Sequence, residues 1–300
     1  MPGIREYWWG LPALLVGVVA MIQGDVASSR PAANVAFFLL GFGAVLLMRR
    51  ATVKPGAFTG GVLCLVLLAT FLGGGNDGVH RWIDAGPLSL DVSMLVAPWV
   101  LAVMAHLLAR GRVAGAVALA VLVQLALLLQ PDAAQGSAFA AGAVVLLLMS
   151  AERSGVVLTG VAAVVAMALG TFSRRDPLAP VPEVEGIVGL ARDAAPWLGV
   201  AAVVACALLA VPFVRAALHG RSAREPVVGA AQAALCAYVV VQLLAPLGLD
   251  VPVPVMGYGA ATVLAYAAAF TASLAMPRDR AFSGRSRDRA AVRSRAGTRM

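Results

Sequence analysis

The chain has 300 residues, 61% hydrophobic and 13% charged, with a mean hydropathy of +0.88 and a formal net charge of +8. A soluble domain carries about 25% charged residues and could not bury this much apolar surface, so soluble, disulfide-stapled, collagen-like and disordered classes are excluded. What remains is an all-α polytopic membrane helix bundle, in which the positive charge reports orientation rather than nucleic-acid binding.

A helix needs roughly 20 apolar residues to cross a bilayer. Polar punctuation predicts ten such spans: Tyr7–Gln23, Ala33–Met48, Gly56–Leu72, Ser93–Ala109, Val113–Leu129, Ala134–Ser150, Gly155–Thr171, Ala194–Val214, Val227–Leu247 and Pro254–Met276. Each must be a helix, because lipid offers no partner to an unpaired backbone group. The first is read as a retained helix rather than a cleaved signal, since nine more follow. Cys64, Cys206 and Cys236 lie inside apolar runs and are read as packing residues. Gln124, Gln232 and Gln242 are expected to hydrogen-bond between helices.

Ten spans put both termini on one side. With that side cytoplasmic, it holds 18 of the 23 basic residues and 5 of the 15 acids. This asymmetry predicts an inner-membrane protein with cytoplasmic termini. Residues 1–276 form the transmembrane domain. Residues 277–300 form a basic, Arg- and Ser-rich tail, expected to be disordered and cytoplasmic.

Charges are sparse, so their positions inform. Between the third and fourth spans, on the external side, runs Asn76-Asp77-Gly78-Val79-His80-Arg81-Trp82-Ile83-Asp84-Ala85-Gly86. It reads as an interfacial loop or as a lid in which Arg81 meets an anionic group and Trp82 marks the interface. Gln130-Pro131-Asp132 ends the fifth span; Asp132 caps the next helix or acts directly in chemistry. Between the seventh and eighth spans lie Arg174, Arg175, Glu183 and Glu185. Composition alone favours a solvated charged loop; in the functional reading, burial of these carboxylates at the membrane edge would raise them toward a general-base range, and the arginine pair could hold a diphosphate. Pro254-Val255-Met256-Gly257-Tyr258-Gly259 opens the last span with glycines that allow close approach or a broken helix. His106 and His219 have no partner spacing, so no metal site is expected. No phosphate-cradling loop, zinc motif or nucleophile elbow occurs.

In order and spacing these stretches resemble the SEDS family, the FtsW/RodA/SpoVE group of bacterial cell-shape and division proteins. His80-Arg81-Trp82-Ile83 with Gly86 and Ser93 is similar to the family's RW(I/L)xxGxxxxQPSE stretch. Gln130-Pro131-Asp132 matches its QPD, and Pro254–Gly259 resembles its PFVSYGG. The chain departs from the pattern at Met94 and Ala97, where the family has glutamate and lysine, and at Gly257, where it has serine.

The resemblance implies cell-wall assembly: polymerisation of lipid-linked disaccharide–pentapeptide by an integral-membrane peptidoglycan glycosyltransferase, beside a penicillin-binding transpeptidase. It implies no certain cofactor, although a divalent cation could share the charge of the leaving diphosphate. Flipping of the lipid-linked precursor and a non-catalytic scaffold role in division or elongation are the alternatives. The family's essential acid is an aspartate in the loop between the seventh and eighth spans; the role is carried here to Glu185, then Glu183. Arg81, Trp82, Asp132, Arg174, Arg175 and Tyr258 are the expected substrate-binding residues.

Overall fold

The computed structural model describes residues 4–51, 53–86, 88–150, 154–174, 176–220 and 226–277. Among the described residues are eleven α-helices: α1 (Leu11–Gln23), α2 (Ser29–Arg50), α3 (Ala57–Ala69), α4 (Val92–Ala109), α5 (Val113–Leu129), α6 (Ala133–Ser150), α7 (Gly155–Thr171), α8 (Ile187–Ala194), α9 (Pro196–Gly220), α10 (Pro226–Leu244) and α11 (Ala260–Ala275). Five are long and apolar enough to cross a bilayer, α10 being lengthened to Leu247 by a 3₁₀ turn. Four more, α3 with its own 3₁₀ extension, α5, α7 and α11, are shorter and equally apolar. A 3₁₀ turn over Ile4–Gly10 extends α1 to about the length of a crossing. The chain is a multi-pass membrane helix bundle.

α4 and α11 form its centre. In α4, 14 of 18 residues are buried, and in α11 13 of 16. α11 packs between α2 and α4, while α10 packs on α6 and α9. In lipid such packing comes from close backbone approach rather than a hydrophobic drive, and the run of alanines in α11 permits it. Gln232 meets this expectation: its Oε1 accepts from Ser273 Oγ at 3.0 Å, joining α10 to α11. Gln124 does not, since both its polar atoms are buried without a hydrogen-bond partner. The three cysteines are free and half-buried.

Three features depart from the ten-span reading. Trp82–Ala85 (β1) and Leu88–Asp91 (β2) pair as an antiparallel hairpin, with Trp82 opposite Asp91. α8 is a separate amphipathic helix ahead of α9, with Pro196 starting the next helix after an extended Ala195. The last helix begins at Ala260, not at Pro254. Pro252 and Pro254 have no N–H to give a helix, and Gly259 lies at φ 139°, which only glycine adopts readily. Residues 250–259 therefore cross the end of the bundle as irregular backbone. Residues 278–300 of the tail lie outside the described residues.

Candidate functional site

The hairpin, the start of α6, the α7–α8 loop and the 250–259 segment meet at one end of the bundle. Local capping fixes two carboxylates there. Asp91 ends β2 and caps α4, its Oδ1 accepting from Ser93 N at 3.0 Å and Met94 N at 3.3 Å. Asp132 caps α6, accepting from Gln135 N at 3.0 Å. Helix N-termini favour anions, so each carboxylate is held where its helix begins.

Arg81 lies between them, 7% exposed. Its guanidinium donates to the Gln130 and Pro131 carbonyls, meets Asp176 Oδ2 at 2.8 Å and lies 3.8 Å from Asp132 Oδ2. Burial alone would lower its pKa, but Asp132, Asp176 and Asp91 outweigh that, so it stays charged. Trp82 is half-buried, with the guanidinium 5.9 Å from its ring centre. Below, Gln130 Nε2 donates to Thr70 Oγ1 at 2.8 Å and Tyr238 Oη to Gln135 Oε1 at 2.9 Å, tying in α3 and α10.

A cleft of about 240 Å³ opens over this group. Arg81, Asp132, Arg174, Asp176 and Asp250 are on its wall. Glu185 lies beside it: burial pushes its carboxyl up, opposed by hydrogen bonds including that from Val181 N at 2.8 Å, and the charges of Asp250 and Asp176 add to the rise. Among the described residues no group of three or more His, Cys, Asp or Glu is placed to hold a metal ion.

Glu183 and Tyr258 are not on the cleft wall. Glu183 is buried and paired with Arg30, whose guanidinium lies 5.3 Å over the Tyr258 ring. The Tyr258 N–H donates to the Glu183 carbonyl at 2.7 Å, and Asn34 Nδ2 donates to the Gly257 carbonyl at 3.0 Å. This second cluster fastens the α7–α8 loop to the irregular segment and to α2. Gly257 is required there, because a Cβ would lie 2.5 Å from the Val184 carbonyl oxygen. Arg175 lies outside the described residues.

Sequence reasoning missed Asp91, Asp176 and Asp250. An aspartate directly before the first residue of an apolar run is a capping signal, and Asp91 stands directly before Val92. Asp176 lies in the same α7–α8 loop as Glu183 and Glu185.

The fold is that of RodA. The chain superposes on the crystal structure of the rod shape determining protein RodA of Thermus thermophilus with a TM-score of 0.66 at 19% identity, over 92% of this chain and 96% of that one. An aspartate-to-alanine mutant of the same protein gives 0.67 at 18% identity, over 92% and 97%. A chain from a structure titled for the coordination of polymerization and crosslinking by a peptidoglycan synthase complex gives 0.62 at 18%, over 92% and 97%. No protein-family model and no curated protein sequence matches the chain.

Proposed function

We propose that this chain is a SEDS-type peptidoglycan polymerase of the bacterial cytoplasmic membrane, joining lipid-linked disaccharide–pentapeptide units at the outer leaflet. One observation carries the reading: in a RodA fold, a loop aspartate, Asp176, faces a polar cleft whose wall also carries Arg81 and Arg174. The excess of basic residues on the opposite side makes the cleft end external and the termini cytoplasmic.

A general base must first be within reach of its proton, and only then have a suitable pKa. By that order Asp176, on the wall, precedes Glu185, which does not line it. Asp176 takes the proton of the acceptor hydroxyl, and that oxygen attacks the anomeric carbon of the donor sugar. The lipid diphosphate leaves, and Arg174, exposed on the cleft wall, offsets its charge. Arg81, buried and held by Asp176 and the Gln130 and Pro131 carbonyls, positions Asp176 rather than meeting the diphosphate. Glu183, paired with Arg30, takes no part. A transpeptidase partner accords with the synthase complex in which one structural neighbour occurs.

The test is polymerisation of purified lipid-linked precursor. Asp176→Asn should lower the rate by about 10²–10⁴-fold, the range for loss of a general base, while Glu185→Gln stays within a few-fold of wild type. The reverse pattern moves the role to Glu185, with activity rising as pH passes its raised pKa. Equal product from all three removes this loop from the chemistry.

A non-catalytic scaffold has one observation in its favour. Met94 and Ala97 stand where the family has glutamate and lysine, and both are packed: Met94 against Ala261 and Ala265, Ala97 in the main core. Normal cell shape with Asp176→Asn, but not with deletion of the chain, would select this reading.

A further inference from the structure

Beneath the cleft is a smaller cavity of about 20 Å³, lined by Arg81, Asp91, Asp132, Gln135 and Gln242 among others. That is room for about one water molecule. Gln242, 8% exposed, reaches it from α10, and its Nε2 is a buried donor with no hydrogen-bond partner. Such a group costs about 1–3 kcal/mol unless something accepts from it.

The hydrogen bonds on the cavity wall do not close with both carboxyls ionised. Ser93 Oγ lies 2.5 Å from Asp91 Oδ1 and 3.3 Å from Asp132 Oδ2. One hydroxyl has one proton, so it can donate to only one of the two. The other contact is a hydrogen bond only if that carboxyl is itself protonated and donates to the serine oxygen. The surrounding charge points the same way. Arg81 is the cation facing the pair, and Asp176 already shares it at 2.8 Å. Arg174 and Asp250 share the cleft wall with Asp132, on its open side. The neighbours on the cavity side are neutral: Gln135 from α6, Tyr238 and Gln242 from α10, and Ala261 and Ala265 of α11 against Met94. Like charges this close cannot both stay ionised cheaply.

We propose that Asp91, Ser93 and Asp132 form a buried proton-binding site, in which two carboxyl groups hold one proton between them through the serine hydroxyl, with a water molecule in the adjoining cavity accepting from Gln242. The bound proton removes one negative charge from beneath Arg81. Burial, and then the Asp132 charge, pushes the Asp91 carboxyl up to about 6, against the hydrogen bonds of Ser93 and Met94 and the charge of Arg81.

Infrared difference titration of the purified full chain in detergent tests the site without recourse to activity. Glu185→Gln serves as background, because Glu185 is the other carboxyl that burial raises. A protonated-carboxyl C=O band should be present in mild acid and fade as pH rises through about 6. Asp91→Asn and Asp132→Asn should each move the fading of the band to lower pH, because the like charge beside the remaining carboxyl is gone while its burial is kept. Ser93→Ala keeps both carboxyls and should shift the frequency of the band. Absence of any such band, or its displacement in only one of the two asparagine variants, would overturn a shared proton. If either variant unfolds, the Ser93→Ala shift decides: an unmoved band rules the serine link out.

Discussion

Arg81 and Arg30 lie at the same end of the bundle and each faces a carboxylate, yet they do different work. The Arg81 side chain is 8% exposed and bound by the α5–α6 turn and the α7–α8 loop at once. The Arg30 side chain is 44% exposed, with Glu183 on one side and the Tyr258 ring on the other. The lesson is that an ion pair has consequence in proportion to what it leaves behind in a place without water. Without Arg81, buried carboxylates lose their counter-charge; without Arg30, water reaches much of the gap.

Arg81→Ala should therefore have the largest effect. It leaves Asp132 and Asp91, both buried, without the buried cation beside them, and breaking such a group costs about 3–5 kcal/mol. Unfolding of the detergent-solubilised protein measures it, and a loss below about 1 kcal/mol would make the two arginines equivalent. Gly257→Ser, which restores the family's residue, comes next. Its Cβ would meet the Val184 carbonyl at 2.5 Å, so the α7–α8 loop must move, at about 1–3 kcal/mol. Faster proteolysis within residues 172–186 would report that movement, and an unchanged cleavage pattern would show that the irregular segment does not fix the loop. Arg30→Ala should cost least, about 1 kcal/mol. The cost should shrink as salt is added, whereas that of Arg81→Ala should not. A salt-independent loss at Arg30 would dissolve the contrast.

The carboxylates show how far the sequence could be read. Asp132 was recognisable as a cap because Pro131 ends one helix and an apolar run begins the next, and it caps α6. Its second contacts, with Ser93 and Arg81, join residues 39 and 51 positions away, which no local pattern signals. Glu183 and Glu185 look alike in sequence, two positions apart beside prolines. Only the fold sends one to Arg30 and leaves the other near Asp176 and Asp250. The start of α11 was misread because Val253–Met256 is as apolar as a helix, while the prolines and Gly259 decide against one. The hairpin went unseen because strands of four residues carry too little alternation to register.

Apolar run length, the scarcity of charge and the bias of arginine to one side were enough to specify a many-times-crossing helix bundle, because a bilayer sets the same demand on every crossing: about 20 residues with all backbone groups paired. Which few polar side chains meet at the cleft was left to tertiary structure. Those contacts are long-range, and each depends on how a cap, a hairpin and a broken segment from distant parts of the chain are brought to one end of the bundle.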